Sequence, residues 1–420
     1  MEIKASDIDM DNLLKDRNNR LYLSSVVTDN CGSSLMMFAL PLIVLDITGS
    51  GIHLSFISAI ETIPFLILGL PIGAIIDRLD VKKIMIFSDL IRLLSYSVLA
   101  IALALKVSSA FMIFIIYTVS LAVSVMNILS TVSEITFVSF LVEKENFSKL
   151  NSTVYGIQYS VNFALPILGG VLYKFIPQSL LTGISVVFYL ISLLLVNNII
   201  LISQSDSSAR FSSIKHGVNA VFTDIKDGVR YTAKIRAVLY PLVLAALVNI
   251  ASANFQNDSL IILRQQMGLS SDQIGLILSI AAVSALIGTV VVNWLNKKIE
   301  FGQLLVLSII AGSLFRAVFA LSANLVILVS SIACIAINES ILNISIITNR
   351  QNEVGQEYLG RVTSIYKAVL IGVNSIGYLL GGFVANKIGS RLGIGISAVE
   401  LFVVSMISLF LMTFVRVRND

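Results

Sequence analysis

The sequence is short of the residues on which most soluble chemistry depends. Its 420 residues include two cysteines, two histidines, one tryptophan and six prolines. Cys31 and Cys334 each lie inside an apolar run, so they read as small core residues and offer neither a disulfide framework nor a CxxC metal site. His53 and His216 are too few for a His-rich metal centre. Charge is equally sparse. Lys, Arg, Asp and Glu make up 13% of the chain, where a soluble domain carries about 25%. No Gly-x-x-x-x-Gly-Lys-Ser/Thr loop is present, which argues against direct ATP drive. Neither His-Glu-x-x-His nor Gly-x-Ser-x-Gly occurs. Asp46-Ile-Thr-Gly-Ser50 resembles the phosphorylated loop of ion-pumping ATPases, but no nucleotide domain accompanies it. These gaps exclude an ordinary soluble enzyme, a disordered chain and a nucleic-acid binder. They imply no cofactor and no metal.

What the chain has instead is apolar length. Hydrophobic residues are 56%, or about 62% with the 25 glycines, well above a soluble domain. Runs fall near 21–46, 54–77, 82–105, 109–134, 152–174, 179–201, 238–263, 273–295, 302–322, 325–347, 362–386 and 392–415. Each approaches the roughly 20 residues that cross a bilayer as a helix. A helix is the open-ended structure that satisfies its own backbone there. Twelve transmembrane helices are therefore expected in an all-α, multi-pass membrane protein.

Basic residues orient the spans. Of the 29 Lys and Arg, twenty-one fall in the N-terminal tail, the loops after even-numbered spans and the C-terminal tail. Five fall on the opposite side, and Arg92, Arg316 and Lys367 lie within spans. Both termini are thus expected in the cytoplasm. The tail at 1–20 lacks an apolar core behind a basic stretch and does not read as a cleaved signal peptide. The first six spans occupy 21–201 and the second six 238–415, with a short tail at 416–420. The linker at 202–237 is Ser-rich, then carries Val218, Val221, Phe222, Ile225 and Val229 at helical spacing. That pattern predicts an amphipathic helix on the membrane surface.

The halves echo each other at a shift of 212 residues. Glu145 matches Glu357, Lys149 matches Arg361, Asn162 matches Asn374, and Leu168-Gly169-Gly170 matches Leu380-Gly381-Gly382. Between spans two and three stands Gly69-Leu-Pro-Ile-Gly73-Ala-Ile-Ile-Asp77-Arg78-Leu-Asp80-Val81-Lys82-Lys83. Small residues there let two helices close, Asp77 can accept hydrogen bonds, and Lys82 and Lys83 meet lipid headgroups. In the fifth span, Pro166 bends the helix while Gly169 and Gly170 permit close packing.

These features resemble the major facilitator superfamily, whose plan is two six-span repeats. The loop around Gly73, Asp77, Arg78, Lys82 and Lys83 resembles its cytoplasmic latch motif, Gly-x-x-x-Asp-Arg-x-x-Arg-Lys, with Val81 where the family usually has arginine. Leu165-Pro166-Ile-Leu-Gly169-Gly170 resembles the antiporter motif Gly-Pro-x-x-Gly-Gly, with Leu165 in place of a glycine. Leu40-Pro41, Thr48-Gly49-Ser50, Ser88-Asp89-Leu90-Ile91-Arg92 and Glu357-Tyr358-Leu359-Gly360-Arg361 add a likeness to the branch of macrolide-efflux and siderophore-export proteins. The resemblance implies a secondary transporter by alternating access, proton-coupled and exporting an amphiphilic small molecule such as a macrolide-like drug. An endogenous metabolite such as a siderophore is the second expectation, and a non-transporting receptor or scaffold the contrasting one. A monomer partnered by lipid, substrate and protons is expected, and the lack of eukaryotic loops and sorting signals makes a bacterial inner membrane the expected location.

Ionisable groups at bilayer depth are functional candidates by default. Asp29, Glu61 and Glu339 are the candidates for proton coupling, since an exporter needs a carboxylate that exchanges a proton as its cavity changes side. Arg92 is placed to be a counter-ion to Asp89, a structural role. Phe38, Tyr155, Tyr159, Phe163, Phe255 and Tyr366 fall in spans that can face a cavity, where an amphiphile would bind. The orientation is testable by thiol labelling in a variant lacking Cys31 and Cys334. Cysteine at Lys106 should react with an impermeant reagent in intact cells, and cysteine at Lys298 should not; the reverse pattern would invert the topology.

Overall fold

A computed structural model describes residues 15–69, 71–76, 79–143, 146–200 and 226–416. Among them the chain is helical throughout its length. The first half comprises α1 (Arg17–Thr48), α2 (Gly51–Leu68), the short α3 (Pro71–Ile76), α4 (Val81–Leu105), α5 (Ser109–Leu141), α6 (Phe147–Phe175) and α7 (Gln178–Asn197). A short helix at 226–234, α8, carries Val229 of the expected amphipathic stretch; the rest of that stretch lies outside the described residues. The second half comprises α9 (Arg236–Ile261), α10 (Ser271–Leu295), α11 (Phe301–Leu321), α12 (Leu325–Glu353), α13 (Gln356–Ile388) and α14 (Ser390–Arg416). A π-helical turn, Ile262–Gln266, continues α9.

The helix ends follow local chemistry. The Asp16 carboxylate accepts from Asn18 N at 2.6 Å and opens α1. Gly49, at φ 61°, closes it in the left-handed region that a residue with a Cβ avoids. Asp80 caps α4 by accepting from Lys83 N, and Asn324 caps α12 by accepting from Val326 N. Gly69 ends α2 within the expected second span, which is therefore broken into α2 and α3.

Eleven of the described helices are long and apolar enough to cross a membrane. The expected fifth span, α6, is not among them. Its 29 residues give it the length, but Asn151, Ser152, Thr153, Gln158, Ser160 and Asn162 dilute its apolar character. Large apolar side chains such as Leu105, Val290 and Leu321 stand out from the helix bundle, as a lipid solvent requires and water would penalise.

Two pairs of helices make the main contacts between the halves, α2 with α13 and α6 with α10. Each juncture is built on a glycine of the repeated Leu-Gly-Gly. Gly170 of α6 lies against Ser271, whose hydroxyl donates to Gly170 O at 3.0 Å. Gly382 of α13 lies against Ser55 of α2, so closely that a Cβ there would fall 2.2 Å from Ser55 Oγ. The sequence echo is thus the same helix contact made twice.

The apolar cores show how the halves separate. Call the end holding the start of α1 and α8 the linker end, and the end holding the Gly49 turn the hairpin end. At the hairpin end one cluster runs through both halves, from Leu35, Phe38 and Tyr189 to Phe255, Ile261 and Ile335. At the linker end each cluster stays within one half. Tyr22, Phe137 and Leu150 belong to one half, and Val238, Ile346 and Tyr366 to the other. The molecule is closed at the hairpin end and parted at the linker end.

Gly275→Ala would place a Cβ 2.2 Å from Pro166 O, and backbone cannot yield there as a side chain can. We expect about 1–3 kcal/mol of destabilisation, as for an overpacked core, read as a lower melting temperature in detergent. Gly183→Ala, which meets nothing within 4 Å, should melt like the wild type.

Candidate functional site

The first half is organised around Arg92 of α4, which is 1% exposed. A guanidinium is always charged and offers five donors in a fixed fork, so its burial demands acceptors on several sides. Asp89, one turn earlier on α4, accepts from Nη2 at 2.5 Å. Asp29 of α1 is paired with the same nitrogen at 2.6 Å. Ser130 Oγ and Asn127 Oδ1, both on α5, accept at 3.2 and 3.3 Å. The Tyr189 ring of α7 lies 4.7 Å beneath the guanidinium carbon. Ser192 of α7 donates to Asp89 Oδ2 at 2.8 Å. One cation thus ties α1, α4, α5 and α7 together.

The two carboxylates differ. Asp89 is held by Arg92 and Ser192 and is nearly fully buried. Asp29 keeps 13% of its side-chain surface exposed, and its contact with Arg92 is an ion pair without hydrogen-bond alignment. It borders a cavity of about 210 Å³ with Asn30, Arg92, Asn127, Glu134 and Gln158 among its walls. Ser130, which accepts from Arg92, also donates to Glu134 Oε1 at 3.4 Å. Three carboxylates therefore gather about a single arginine. Glu134 was not singled out from the sequence. It falls at the last residue of the fourth apolar run, whereas α5 continues to Leu141 and draws it into the bundle.

The second half carries a simpler pair. Arg316 of α11, 1% exposed, donates to Glu339 Oε1 of α12 at 2.8 Å and to Ser252 Oγ of α9 at 2.7 Å. Ser252 donates in turn to the same Glu339 oxygen at 2.7 Å. Phe255 lies under the guanidinium, 5.3 Å from ring centroid to Cζ. Glu339 keeps 35% of its side chain exposed.

The other sequence candidates divide by exposure. Tyr155, Tyr159 and Phe163 line up on α6 and are exposed. Phe38 is buried against Gly169, Phe255 lies beneath Arg316, and Tyr366 is buried with its hydroxyl donating to Val238 O. These three are core side chains in this conformation. Glu61 is exposed on α2 and interacts electrostatically with Tyr96 of one half and Tyr378 of the other. In the latch motif, Asp77 and Arg78 lie outside the described residues, as does the side-chain environment of Gly73. Lys82 donates to the carbonyls of Asn197 and Ile199, both at 2.8 Å, and so caps the end of α7. Lys83 pairs with Asp80 at 3.4 Å. Pro166, Gly169 and Gly170 lie at the α6 contacts described above.

At the hairpin end a polar clasp crosses between halves. Arg264, on the π-helical turn, grips Asp46 at the end of α1 through Nε at 3.0 Å and Nη2 at 2.9 Å. Tyr173 of α6 donates to Asp46 Oδ2 at 2.8 Å, and Gln178 donates to Tyr173. Lys174 pairs with Asp272 across the same seam at 3.0 Å.

The chain matches the sequence model of the Major Facilitator Superfamily over residues 22–370 and again over 242–419. No curated protein sequence matches it. Solved structures do. A bacterial homologue of the iron transporter ferroportin, in an inward-facing state, aligns with TM-score 0.75 and 14% identity over 94% of this chain and 98% of that one. A bacterial homologue of the human lysosomal transporter Spinster, inward-facing and unoccupied, aligns at 0.69 and 11%, over 94% and 97%. A mutant of the nucleoside transporter NupG aligns at 0.68 and 15%, over 94% and 99%.

The clasp is bidentate but partly solvated, so its contribution is about 1 kcal/mol or less per pair. Asp46→Asn should therefore shift the open–closed balance at the hairpin end by about 2- to 5-fold, read as faster labelling of a cysteine at Gln178. The charge swap Asp46→Arg with Arg264→Asp should restore part of the difference.

Proposed function

The chain belongs to the major facilitator superfamily, and from that premise we propose a proton-coupled exporter of an amphiphilic small molecule. Membership makes it a membrane transporter rather than an enzyme. The export direction, the coupling ion and the substrate class are the proposal. It places the protein in a bacterial inner membrane with both termini in the cytoplasm, so that the parted linker end faces the cytoplasm.

The observation that carries this reading is the charge balance at Arg92. Asp29, Asp89 and Glu134 surround one guanidinium, and a membrane interior tolerates no such excess of unpaired charge. Protons entering from the cavity relieve it. Asp29 has the looser contact with Arg92 and borders the cavity, so it is the group that takes and yields a proton. A protonated Asp29 releases Arg92 to its remaining partners on α4 and α5. That loosens the tie between α1 and the rest of its half, and the two-state element it biases is the α1 contact at the closed seam. Glu339, half-exposed beside Arg316, is the corresponding group of the second half. Tyr155 and Tyr159, exposed on the same helix as Gln158 of the cavity wall, supply flat surfaces for an amphiphile.

A second reading has a specific observation behind it. Every residue lining the cavity beside Arg92, on α1, α4, α5 and α6, is polar, which suits a small polar metabolite better than a bulky apolar drug.

The test is transport in inverted membrane vesicles energised to an acid interior, with a pH dye reporting discharge. A panel of macrolides, cationic dyes, catechol siderophores and polar metabolites is added in turn. We expect one class to discharge the gradient, and Asp29→Asn to abolish the discharge while direct binding of that compound persists. Discharge unchanged in Asp29→Asn, Glu134→Gln and Glu339→Gln would reject proton coupling. Binding without transport in the wild type would favour a receptor or scaffold.

A further inference from the structure

A second carboxylate site lies in the other half, away from both arginines. Asp258 of α9 is completely buried, and neither of its oxygens has a hydrogen-bond partner among the described residues. One turn earlier, Asn254 is 9% exposed and its Oδ1 is also without a partner. Residues four apart share one helix face, and both of these reach the same point on α14. Asn254 Nδ2 donates to Gly393 O at 3.3 Å, while a Cβ on Gly393 would fall 2.4 Å from Asp258 Oδ2. On the α13 side, a Cβ on Gly381 would fall 2.5 Å from Asn254 Oδ1. Two glycines thus clear the space in which these oxygens sit.

The basic residues nearby are committed elsewhere. Arg264 grips Asp46, and Arg391 of α14 donates to the carbonyls of Ala320 and Ser322. The site therefore presents a buried carboxyl group and further oxygen acceptors on two helices, with no cationic partner among the described residues. An isolated buried carboxylate carries a penalty of several kcal/mol, so it is neutralised by its own proton or answered by a bound cation.

We propose that Asp258, Asn254 and the Gly393 carbonyl form a binding site for a sodium ion between α9, α13 and α14. The charge count selects a monovalent ion, since a divalent one would leave an equal excess of the opposite sign. The donor set is oxygen alone, which suits a hard cation. A proton on Asp258 would give it one donor and leave its second oxygen unsatisfied, whereas a bound cation can be shared by more than one of these unpartnered oxygens. The site is distinct from the Arg92 cavity and does not depend on the proton-coupling reading.

The experiment is the melting temperature of the purified full-length protein in detergent, at mildly alkaline pH, with sodium, potassium or choline chloride at equal ionic strength. Sodium should raise it by about 2–4 °C over choline, the shift that ligand linkage gives a folded state of this order of size. Asp258→Asn, which removes the charge and keeps the shape, should melt no lower than the wild type in choline and should lose the sodium response. Gly393→Ala, which fills the cradle, should lose it too. Equal melting in all three salts overturns the proposal, as does a sodium response that survives Asp258→Asn. Stabilisation of the wild type by acid alone, with none by sodium, assigns a protonated carboxylic acid instead and overturns it as well. The readout is binding, so none of these results bears on transport driven by Asp29.

Discussion

Everything in the first half is arranged about the need to keep a guanidinium inside lipid. Arg92 cannot lose its charge, and in hydrocarbon it has no water to turn to. Its neighbours therefore come from four helices, and their small or polar side chains sit where a purely apolar bundle would place leucine. Such a network specifies which helices meet and in which register. It also leaves the bundle sensitive to any change in the charge of one member, because removing a partner strands the rest. Arg316 imposes a lighter version on the second half, with a single carboxylate and a serine shared between three helices.

Against these fixed centres, the seam between halves is built to be temporary. Its helices meet through glycine, serine and backbone oxygen, with Ser271 donating to Gly170 O and Ser279 to Phe163 O. Contacts of this kind give close approach, and a few large side chains such as Phe56 against Phe383 pack beside them. The hairpin-end clasp is likewise polar and partly solvated. The linker-end cores, by contrast, are apolar and confined to their own halves. Linker-end cores confined to each half, with the contacts between halves made along α2, α13, α6 and α10 and at the hairpin end, give the distribution that rigid-body rocking requires.

Much of this architecture was legible in the sequence, because lipid imposes its rules on short windows of residues. Apolar length located the helices, and the Leu-Gly-Gly echo marked a repeated close-packing site, which the structure places at the seam. The ends of α5, α12 and α13 were not legible, since those helices run on past the apolar stretch. That is why Glu134 escaped notice. Asp89 and Arg92 could be paired by their spacing on one helix, but Asp29 is sixty-three positions from Arg92, and no local pattern reports such a contact. Aromatic residues were the least readable. Phe38, Phe255 and Tyr366 look like Tyr155 and Tyr159 in sequence, because a helix face turned to lipid, core or cavity carries the same residue types.

The π-helical turn at Ile262–Gln266 bears on how this chain can vary. There Met267 N reaches back five residues to Ile262 O, at 2.9 Å, so the turn holds one residue more than an α-helix would. Deleting one residue from it would let regular helix resume and would rotate all that follows by about 100° relative to α9. Arg264, which grips Asp46, lies inside that turn. The clasp is thus encoded in the phase of a helix as much as in the identity of its two charges, and a lineage could lose it by a single-codon deletion while keeping both charged residues.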